Sequence, residues 1–306
     1  MGGVEGQRKT HAGFVAIVGK PNVGKSTLLN NLLGVKVAPI SPKPQTTRKR
    51  LRGILTEGDR QIVFVDTPGL HRPMDALGEF MRQEVYSALV DVHAVVWVVD
   101  LRHPPTPEDE MVGAALRPLV GKVPIFLVGN KVDAAKYPEE ALKAYHALLP
   151  QAETRALSAL DPQQVARLKE DLLALMPEGP LLYPEDFPKS DQSLGEWAAE
   201  IIREEAMKRV WDEVPYSIAV KTEEVAEREN GVLYIKAVLY GEKPSQKGIL
   251  IGEGGRQIKE IGQAARRQLE ALLGRRIYLD LQVRVYPSWR KDPEALRELG
   301  YWYPVG

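Results

Sequence analysis

Short apolar runs, each ending at a glycine or a polar residue, recur through the first 160 residues of the chain. They occupy residues 14–18, 61–65, 94–99 and 124–129, and a further strand is predicted at residues 153–157. Runs of this length without polar alternation are typical of strands that are buried on both faces of a parallel sheet. Helical apolar spacing follows the first run, over Lys25–Leu33. The pattern predicts an α/β domain, a mostly parallel sheet flanked by helices.

The pattern changes after residue 177. Four prolines within residues 177–188 predict an extended, fairly stiff linker. Beyond it, residues 194–211 have helical spacing. Residues 216–220 and 232–240 alternate like paired strands around an Asn230-Gly231 turn, and residues 277–286 supply a further strand. We predict a first domain over residues 1–177, a linker over 178–194 and a smaller α+β domain over 195–306.

A candidate phosphate-binding loop follows the first apolar run. Residues 19–26 read Gly-Lys-Pro-Asn-Val-Gly-Lys-Ser between the predicted strand and helix, the context that a P-loop requires. Two glycines allow successive backbone N–H groups to face phosphate oxygens, and the helix N-terminus adds its positive dipole. We expect Lys25 to reach the β- and γ-phosphates and Ser26 to bind Mg²⁺. The predicted contacts are Gly19, Lys20, Pro21, Asn22, Val23, Gly24, Lys25, Ser26 and Thr27.

A second motif, Asp66-Thr67-Pro68-Gly69, follows the run at residues 61–65. An acidic residue at the carboxyl end of a parallel strand lies where ligands bind in open α/β sheets. We expect Asp66 to hold the hydration shell of Mg²⁺ and the Gly69 N–H to contact the γ-phosphate. Thr67 and Pro68 are predicted to lie at the nucleotide with them.

A third motif, Asn130-Lys131-Val132-Asp133, predicts which nucleotide base is bound. The Asp133 carboxylate can accept hydrogen bonds from both N1–H and the exocyclic amine of guanine. Adenine offers neither donor in that arrangement, and a buried polar group left unpaired discriminates strongly between ligands. The motif therefore predicts GTP, with Asn130, Lys131 and Asp133 at the base. The backbone of a later segment is expected near the guanine O6, at Ser158, Ala159 and Leu160.

A basic loop lies between the first two motifs. Residues 41–52 contain five basic side chains, two prolines and no acidic residue. In a switching loop a threonine completes the Mg²⁺ shell only while the γ-phosphate is present. Thr47 is the first candidate for this ligand and Thr46 is the second. The predicted catalytic set is Lys25, Ser26, Thr47, Asp66 and Gly69, of which Ser26, Thr47 and Asp66 are the Mg²⁺ ligands.

A glycine-rich turn lies between two helical segments of the second half. The order β–β–α–GxxG–α–β fits a type II KH module, whose loop clamps about four nucleotides of RNA backbone. Residues 243–291 carry a net charge of +7 within a chain of zero net charge, a concentration that can form a nucleic-acid site. Glu253 places an acid inside the loop, so we expect Gly254, Gly255 and Arg256 to orient the RNA. The predicted contacts are Ile251, Gly252, Glu253, Gly254, Gly255, Arg256, Ile258 and Lys259.

Composition sets bounds on the remaining possibilities. A chain of 306 residues is long enough for two domains, and its equal numbers of acidic and basic residues indicate no partner by themselves. The absence of cysteine excludes disulfides, thiolate catalysis and cysteine–zinc sites. Residues 1–11 lack the apolar core of a secretory signal, and the run at 94–99 is too short to span a bilayer. We expect an intracellular soluble protein.

Together these motifs resemble the Era family of GTPases over nearly the whole chain. The resemblance implies GTP hydrolysis to GDP and phosphate, binding to the 3′ end of 16S ribosomal RNA and a role in assembly of the 30S subunit. It also implies a cytoplasmic protein, expected to be a monomer, with peripheral contact at the inner face of the plasma membrane. The residues that carry it are the three GTP motifs, Pro44-Gln45-Thr46-Thr47-Arg48, Ile251-Gly252-Glu253-Gly254-Gly255 with Ile258-Lys259, and the ending from Trp289 to Leu299-Gly300-Tyr301.

One position of the site predicts slow turnover. Fast GTPases often orient the attacking water with a glutamine directly after the Asp-x-x-Gly motif, but this chain has Leu70 there. Asn22 matches the position that binds K⁺ in related GTPases. We therefore expect slow intrinsic hydrolysis that is faster in K⁺ than in Na⁺.

Two other functions stay open from the sequence. One is an RNA chaperone in which the nucleotide is mainly structural, and measurable GTP turnover would distinguish it. The other is a GTPase that aids tRNA modification, but that class uses an essential C-terminal cysteine, which this chain lacks. Asn130 and Asp133 disfavour an ATP-dependent kinase.

Overall fold

The structure is a computed structural model that describes residues 9–229 and 231–302. Asn230 of the predicted turn and the outermost residues of both predicted domains therefore lie outside the described residues. The chain divides into two compact units. The first unit comprises the residues up to Ala38, Lys49–His71 and Gln83–Asp191; the second comprises Pro39–Arg48, Arg72–Arg82 and the residues from Gln192 on. The domain limits predicted from the sequence stay predictions.

A six-stranded sheet forms the centre of the first unit. Its strands are β1 (His11–Val18), β2 (Leu51–Glu57), β3 (Arg60–Asp66), β4 (Ala94–Asp100), β5 (Ile125–Asn130) and β6 (Glu153–Ala156). The spatial order is β2-β3-β1-β4-β5-β6, and all neighbours are parallel except the antiparallel pair β2 and β3. All five predicted strands are present, whereas β2 has no counterpart in the sequence-based prediction.

Helices cover both faces of this sheet. They are α1 (Lys25–Leu33), α2 (Ala76–Ala88, in this unit from Gln83 on), α3 (Pro107–Leu116), α4 (Pro138–His146) and α5 (Pro162–Ala174). Alternate residues of β1 enter two separate cores: Val15 and Ile17 pack with residues of α1 and α5, and Ala16 and Val18 with residues of α3 and α4. Burial on both faces explains why β1, β3, β4 and β5 are largely continuous apolar runs.

The proline-rich segment is docked against the edge of the sheet. The side-chain amide of buried Gln61 accepts the N–H groups of Leu182 and Tyr183, at 2.8 and 2.9 Å, and donates to the Tyr183 carbonyl oxygen at 2.9 Å. Farther along, the Ile54 N–H of β2 donates to the Lys189 carbonyl oxygen at 2.8 Å. These bonds satisfy backbone groups of an edge strand, so residues 182–190 belong to the fold of the first unit.

The second unit has a three-stranded sheet in the order β7-β8-β9, with β7 antiparallel and β9 parallel to the central strand. Its strands are β7 (Ala219–Glu227), β8 (Leu233–Gly241) and β9 (Ile277–Val285). Its helices, besides the first part of α2, are α6 (Leu194–Lys208), α7 (Val214–Ser217), α8 (Pro244–Ile251), α9 (Arg256–Leu273) and α10 (Pro293–Glu298). The predicted order β–β–α–GxxG–α–β is confirmed.

One strand of the second unit was predicted at the wrong place. Residues 216–220 were expected to be extended, but Val214–Ser217 is a helical turn and the strand runs from Ala219 to Glu227. Pro215 is favourable in the first turn of a helix, and the Ser217 hydroxyl donates to the Val214 carbonyl oxygen at 2.8 Å. These local contacts outweigh the alternation of apolar residues. Among the described residues, no helix combines the length and apolar character needed to cross a bilayer.

Candidate nucleotide and nucleic-acid sites

The phosphate loop places its lysine against its own backbone. Lys25 Nζ donates to the carbonyl oxygens of Gly19 and Lys20, at 3.2 and 2.8 Å. Burial lowers the pKa of Lys25 to about 8, although the charge of Asp66 raises it in part. Gly24 has φ 102° and precedes the first residue of α1, so the loop turns directly into the helix N-terminus. The helix dipole and the loop N–H groups favour an anion here.

Glycines bring the three GTP motifs into direct contact. A Cβ on Gly24 would lie 2.3 Å from Asn130 Nδ2, and a Cβ on Gly69 would lie 2.4 Å from the nitrogen of Pro21. The Leu70 N–H also donates to the Gly19 carbonyl oxygen at 3.0 Å. The structure therefore joins the second and third motifs to the phosphate loop through approaches that only glycine permits.

Two oxygen ligands for a metal ion lie together in the first unit. The Ser26 hydroxyl donates to Asp66 Oδ2 at 2.7 Å, and Asp66 is fully buried at the end of β3. Next to it, the Thr67 hydroxyl donates to the Ile17 carbonyl oxygen at 2.8 Å. A hydroxyl and a carboxylate are hard oxygen donors of the kind that Mg²⁺ takes beside substrate phosphates. The chemistry of this pair fits the ion that the sequence predicts.

The third motif joins two loops of the predicted base site. The buried side chain of Asn130 donates through Nδ2 to the Val23 carbonyl oxygen and accepts the Ala159 N–H on Oδ1, both at 2.8 Å. Asp133 is exposed and lies in the turn Val132–Ala134, while Leu160 is 73% exposed. The exposed carboxylate and the loop at residues 158–160 are thus available to a base.

Two acidic residues at this site had no role in the sequence-based prediction. Asp100 binds Lys131 of the third motif, and Asp109 binds Lys20 of the phosphate loop. Asp100 ends a buried strand and Asp109 closes a Thr-x-x-Asp capping box, so each had a local signal. Those signals indicate the end of a strand and the start of a helix. They do not predict that the carboxylates pair with Lys131 and Lys20.

The basic loop carrying the threonine candidates packs within the second unit. The Thr46 hydroxyl donates to the Lys43 carbonyl oxygen at 2.8 Å. The backbone carbonyl oxygen of Thr46 accepts from the Arg203 side chain. Arg48 is fully buried and donates to the carbonyl oxygens of Ile218 and Tyr216, at 2.5 and 2.9 Å. The loop is therefore an ordered part of the second unit, and Thr46 and Thr47 stay alternative ligands.

The GxxG turn has the backbone that its glycines predict. Gly252, Gly254 and Gly255 have φ values of 73°, 58° and 78°, which residues with a Cβ rarely adopt. The turn joins α8 to α9, and the Gly252 N–H closes α8 on the Gly248 carbonyl oxygen at 2.8 Å. Backbone N–H groups in such a turn can face phosphates.

Side chains around the turn divide into exposed and supporting ones. Glu253, Arg256 and Lys259 are exposed, and Arg256 Nε lies 2.9 Å from Glu260 Oε1. Ile251 is half-buried, whereas Ile258 packs against the core of the second unit. Ile258 thus supports the turn from beneath, and the charged residues present the surface that RNA would meet.

Comparison with known protein families identifies both units. A family described as "50S ribosome-binding GTPase" matches residues 14–131, and a family described as "KH domain" matches residues 213–290. GTPase Era of Deinococcus radiodurans is 59% identical over 299 residues, 95% of each chain. GTPase Era of Thermotoga maritima is 46% identical over 295 residues, covering 94% of this chain and 97% of its own.

Two solved structures align over 96% of this chain and the whole of their own, each with a TM-score of 0.90. One is an Aquifex aeolicus Era variant bound to GDP·AlF₄⁻, at 41% identity. The other is Era in complex with MgGDPNP and nucleotides 1506–1542 of 16S ribosomal RNA, at 40% identity.

Proposed function

The chain belongs to the Era family of GTPases, and from this we propose that it uses GTP to control its binding to 16S ribosomal RNA during assembly of the small ribosomal subunit. It is a GTPase that carries a KH domain. The observation that carries the proposal is Asn130, which connects the phosphate loop to the 158–160 loop in the unit that also holds the Ser26–Asp66 pair. A phosphate nest, a metal pair and a base-selecting carboxylate in one unit are the parts that GTP requires.

The phosphate end of GTP is bound by the loop and by Lys25. In our proposal Lys25 exchanges its two backbone carbonyl acceptors for oxygens of the β- and γ-phosphates, and loop N–H groups hold the remaining oxygens. Ser26 and Asp66 would hold Mg²⁺, whose positive charge would stabilise the negative charge that develops on the phosphate oxygens. Thr47, or Thr46 in its place, supplies the ligand that depends on the γ-phosphate. Gly69 offers its N–H to that phosphate.

Slow turnover follows from the position after the second motif. The Leu70 side chain is buried in the core of the first unit, and its N–H is bonded to the Gly19 carbonyl oxygen. Leu70 therefore cannot orient a water molecule as glutamine does. We expect single-turnover hydrolysis on the slow scale of intrinsic GTPases.

A second cation at Asn22 is part of the proposal. Asn22 has φ 62°, in the left-handed region, and its side chain is exposed. K⁺ bound there would add positive charge beside the phosphates. Hydrolysis should be faster in K⁺ than in Na⁺, and Asn22→Ala should remove the difference. Equal rates in the two salts for the parent chain would contradict the K⁺ site.

Base recognition is tested by changing the ligand together with Asp133. The parent chain should bind GTP and not ATP. Asp133→Asn replaces one acceptor by a donor, which suits xanthine because xanthine has an oxygen where guanine has the exocyclic amine. We expect the variant to prefer xanthosine triphosphate to GTP by at least about tenfold. Equal binding of ATP and GTP by the parent chain would overturn the proposed function.

RNA binding is tested at the GxxG turn with two opposite charge changes. Gly254→Asp adds an acid at a position where a Cβ meets no atom within 4 Å, and aspartate tolerates its left-handed backbone better than most residues. It should weaken binding of an RNA with the 3′-terminal sequence of 16S ribosomal RNA. The matched change Glu253→Gln removes an acid from the same turn and should strengthen binding. The same affinity in both variants would contradict an RNA contact at this turn.

Coupling to nucleotide is tested on the full chain with a GTP analogue and with GDP. A switch predicts that binding to the RNA and to 30S particles differs between the two nucleotides, and identical binding would argue for two independent modules. The cytoplasmic location and the peripheral membrane contact that the family resemblance implies stay predictions. Flotation with vesicles tests the membrane contact.

A further inference from the structure

Lys20, in the phosphate loop, directs its side chain to the start of α3. Its Nζ lies 2.6 Å from Asp109 Oδ2 and 3.1 Å from the Thr106 hydroxyl oxygen. The backbone of the same residue supplies a carbonyl oxygen to Lys25. The backbone of Lys20 therefore helps to form the phosphate site, whereas its ammonium group pairs with Asp109.

Asp109 is held rigidly by the helix that it caps. Asp109 Oδ2 accepts both the N–H and the hydroxyl of Thr106, each at 2.9 Å, in the capping box of α3. The residue is fully buried, and its Oδ1 has no hydrogen-bond partner among the described residues. A buried carboxylate depends on its opposite charge, because removal of one partner leaves the other uncompensated. The Lys20 ammonium group is therefore paired with a carboxylate whose position the capping box fixes.

A second carboxylate acts on the other side of Pro21. Lys131 Nζ donates to the Asn22 carbonyl oxygen at 2.7 Å and to Asp100 Oδ2 at 2.8 Å. Asp100 is almost fully buried and also accepts from Arg102, whose Nη2 lies 2.8 Å from Oδ2. Burial alone would raise the pKa of Asp100, but the bonds from Arg102 and Lys131 lower it far below its usual range. Asp100 is an anion at any physiological pH.

The residue held by Lys131 has a backbone that needs support. Asn22 has φ 62°, and Lys131 itself has φ 63°. Such conformations cost on the order of 1 kcal/mol or more in residues other than glycine and persist only where the surroundings determine them. The hydrogen bond from Lys131 to the Asn22 carbonyl oxygen helps to hold the left-handed backbone of Asn22. The ion pair with Asp100 holds the Lys131 side chain in position for that bond.

We propose that Asp100 and Asp109 are positioning residues for the nucleotide, which act through Lys131 and Lys20 to hold residues 20 and 22 in the phosphate-binding conformation. Neither residue is among the predicted nucleotide contacts. Both lie at the ends of one connection, from the last residue of β4 to the first turn of α3. The inference rests on the proposed function, since it concerns the same phosphate loop. A loop that is already ordered does not have to be ordered by the ligand, which strengthens binding.

The test measures release of fluorescent N-methylanthraniloyl-GDP from the full-length chain. Lys20→Met removes the ion pair and leaves the capping box, while Asp109→Asn keeps an acceptor for Thr106. Each variant should release the nucleotide about tenfold faster, and the double variant no faster than the singles, because both remove one interaction. Asp100→Asn should also accelerate release. Lys20→Arg keeps a positive charge for Asp109 and should release the nucleotide more slowly than Lys20→Met.

The control is Asp171→Asn in α5, which removes an ion pair with Arg155 in the same unit. Asp171 is 41% exposed, and its variant should release the nucleotide at the parental rate. In steady-state hydrolysis Asp100→Asn and Asp109→Asn should raise KM for GTP by a larger factor than they lower kcat.

Three results would count against the inference in distinct ways. Parental release rates in Lys20→Met and Asp109→Asn would overturn it, even if melting temperatures fell, because a purely structural role lowers stability without changing release. Lower kcat at unchanged KM would also overturn it. A parent chain that binds no GDP would overturn the proposed function itself.

Discussion

The side-chain amide of Asn130 donates to the carbonyl oxygen of Val23 at 2.8 Å, across 107 residues of sequence. The same amide accepts the Ala159 N–H through its oxygen, so that one buried side chain fixes the distance between the phosphate loop and the 158–160 loop. Asparagine suits this place because it offers a donor and an acceptor at once.

Asn130→Ala should weaken GTP binding about ten- to a hundredfold, because two buried backbone groups lose their partner and the two loops lose their spacing. Equilibrium titration with GTP measures the loss. Asn31→Ala is the control: Asn31 is exposed, and its side chain donates to the Thr27 carbonyl oxygen one turn earlier in the same helix. Equal losses in the two variants would contradict the bridging role.

Gly69→Ala should slow GTP hydrolysis by about tenfold or more, since small displacements at a reacting centre cost large factors. The added Cβ would lie 2.4 Å from the Pro21 nitrogen, so the second motif or the phosphate loop has to move. Gly179→Ala is a matched control in the same unit, because a Cβ there meets no atom of the described residues within 4 Å. Single-turnover rates of the two variants compare the effects, and unchanged hydrolysis in Gly69→Ala would contradict the tight contact.

Glu84, at the middle of α2, should make stability depend on pH. Its Oε2 accepts the Arg50 N–H at 2.5 Å, while its buried Oε1 has no hydrogen-bond partner among the described residues. Burial raises the pKa of Glu84 to about 7, although the N–H and charge of Arg50 and the charge of Lys49 lower it in part. Between pH 4.5 and 7 the unfolded chain has lost this proton and the folded chain keeps it, so stability falls as pH rises.

Glu84→Gln keeps the acceptor for Arg50 and removes the titration. At pH 8 it should be more stable than the parent chain, by up to about 3 kcal/mol, and the difference should shrink toward pH 5. Denaturant unfolding at the two pH values measures it. Glu79→Gln, on the same helix at a 39% exposed position, is the control and should change stability by less than about 0.5 kcal/mol. A constant difference between parent and Glu84→Gln would contradict the raised pKa.

Arg48→Met should destabilise the second unit by about 2–4 kcal/mol, because the carbonyl oxygens of Ile218 and Tyr216 would lose their donor inside the protein. Arg48→Lys should restore little, since an ammonium group cannot reproduce the planar fork. Arg52→Met is the control: Arg52 is 44% exposed and pairs with Asp191 at 3.3 Å, an interaction worth less than about 1 kcal/mol. Comparable losses from Arg48→Met and Arg52→Met in urea unfolding would contradict a buried anchor.

Elements with local causes were predictable from the sequence. Helix α1 has the bounds that its spacing predicted. Gly24 before it and Gly34 after it adopt left-handed conformations, and both glycines are adjacent to the helix in the sequence. Strands β1, β3, β4 and β5 were visible because burial on both faces requires largely continuous apolar runs. Positive φ at the GxxG glycines was predictable for the same local reason.

Residues whose partners are distant in sequence were not predictable in this way. Strand β2 is the antiparallel edge strand beside β3, and its sequence carries several charged or polar residues because part of it faces solvent. The role of Trp289 also depends on such distant partners. In the structure it is fully buried, donates to the Ser217 carbonyl oxygen at 2.9 Å and stacks on Tyr301.

The sequence by itself determined the ligand class and the order of elements, since a phosphate nest, a strand-end carboxylate and a glycine turn each need only a few adjacent residues. Tertiary structure alone decided which charges are paired: Lys20 with Asp109, Lys131 with Asp100, and Arg48 with backbone carbonyl oxygens of the second unit. A long side chain bonds to whatever the fold brings near it, and that neighbour lies 31 to 170 residues away in these cases.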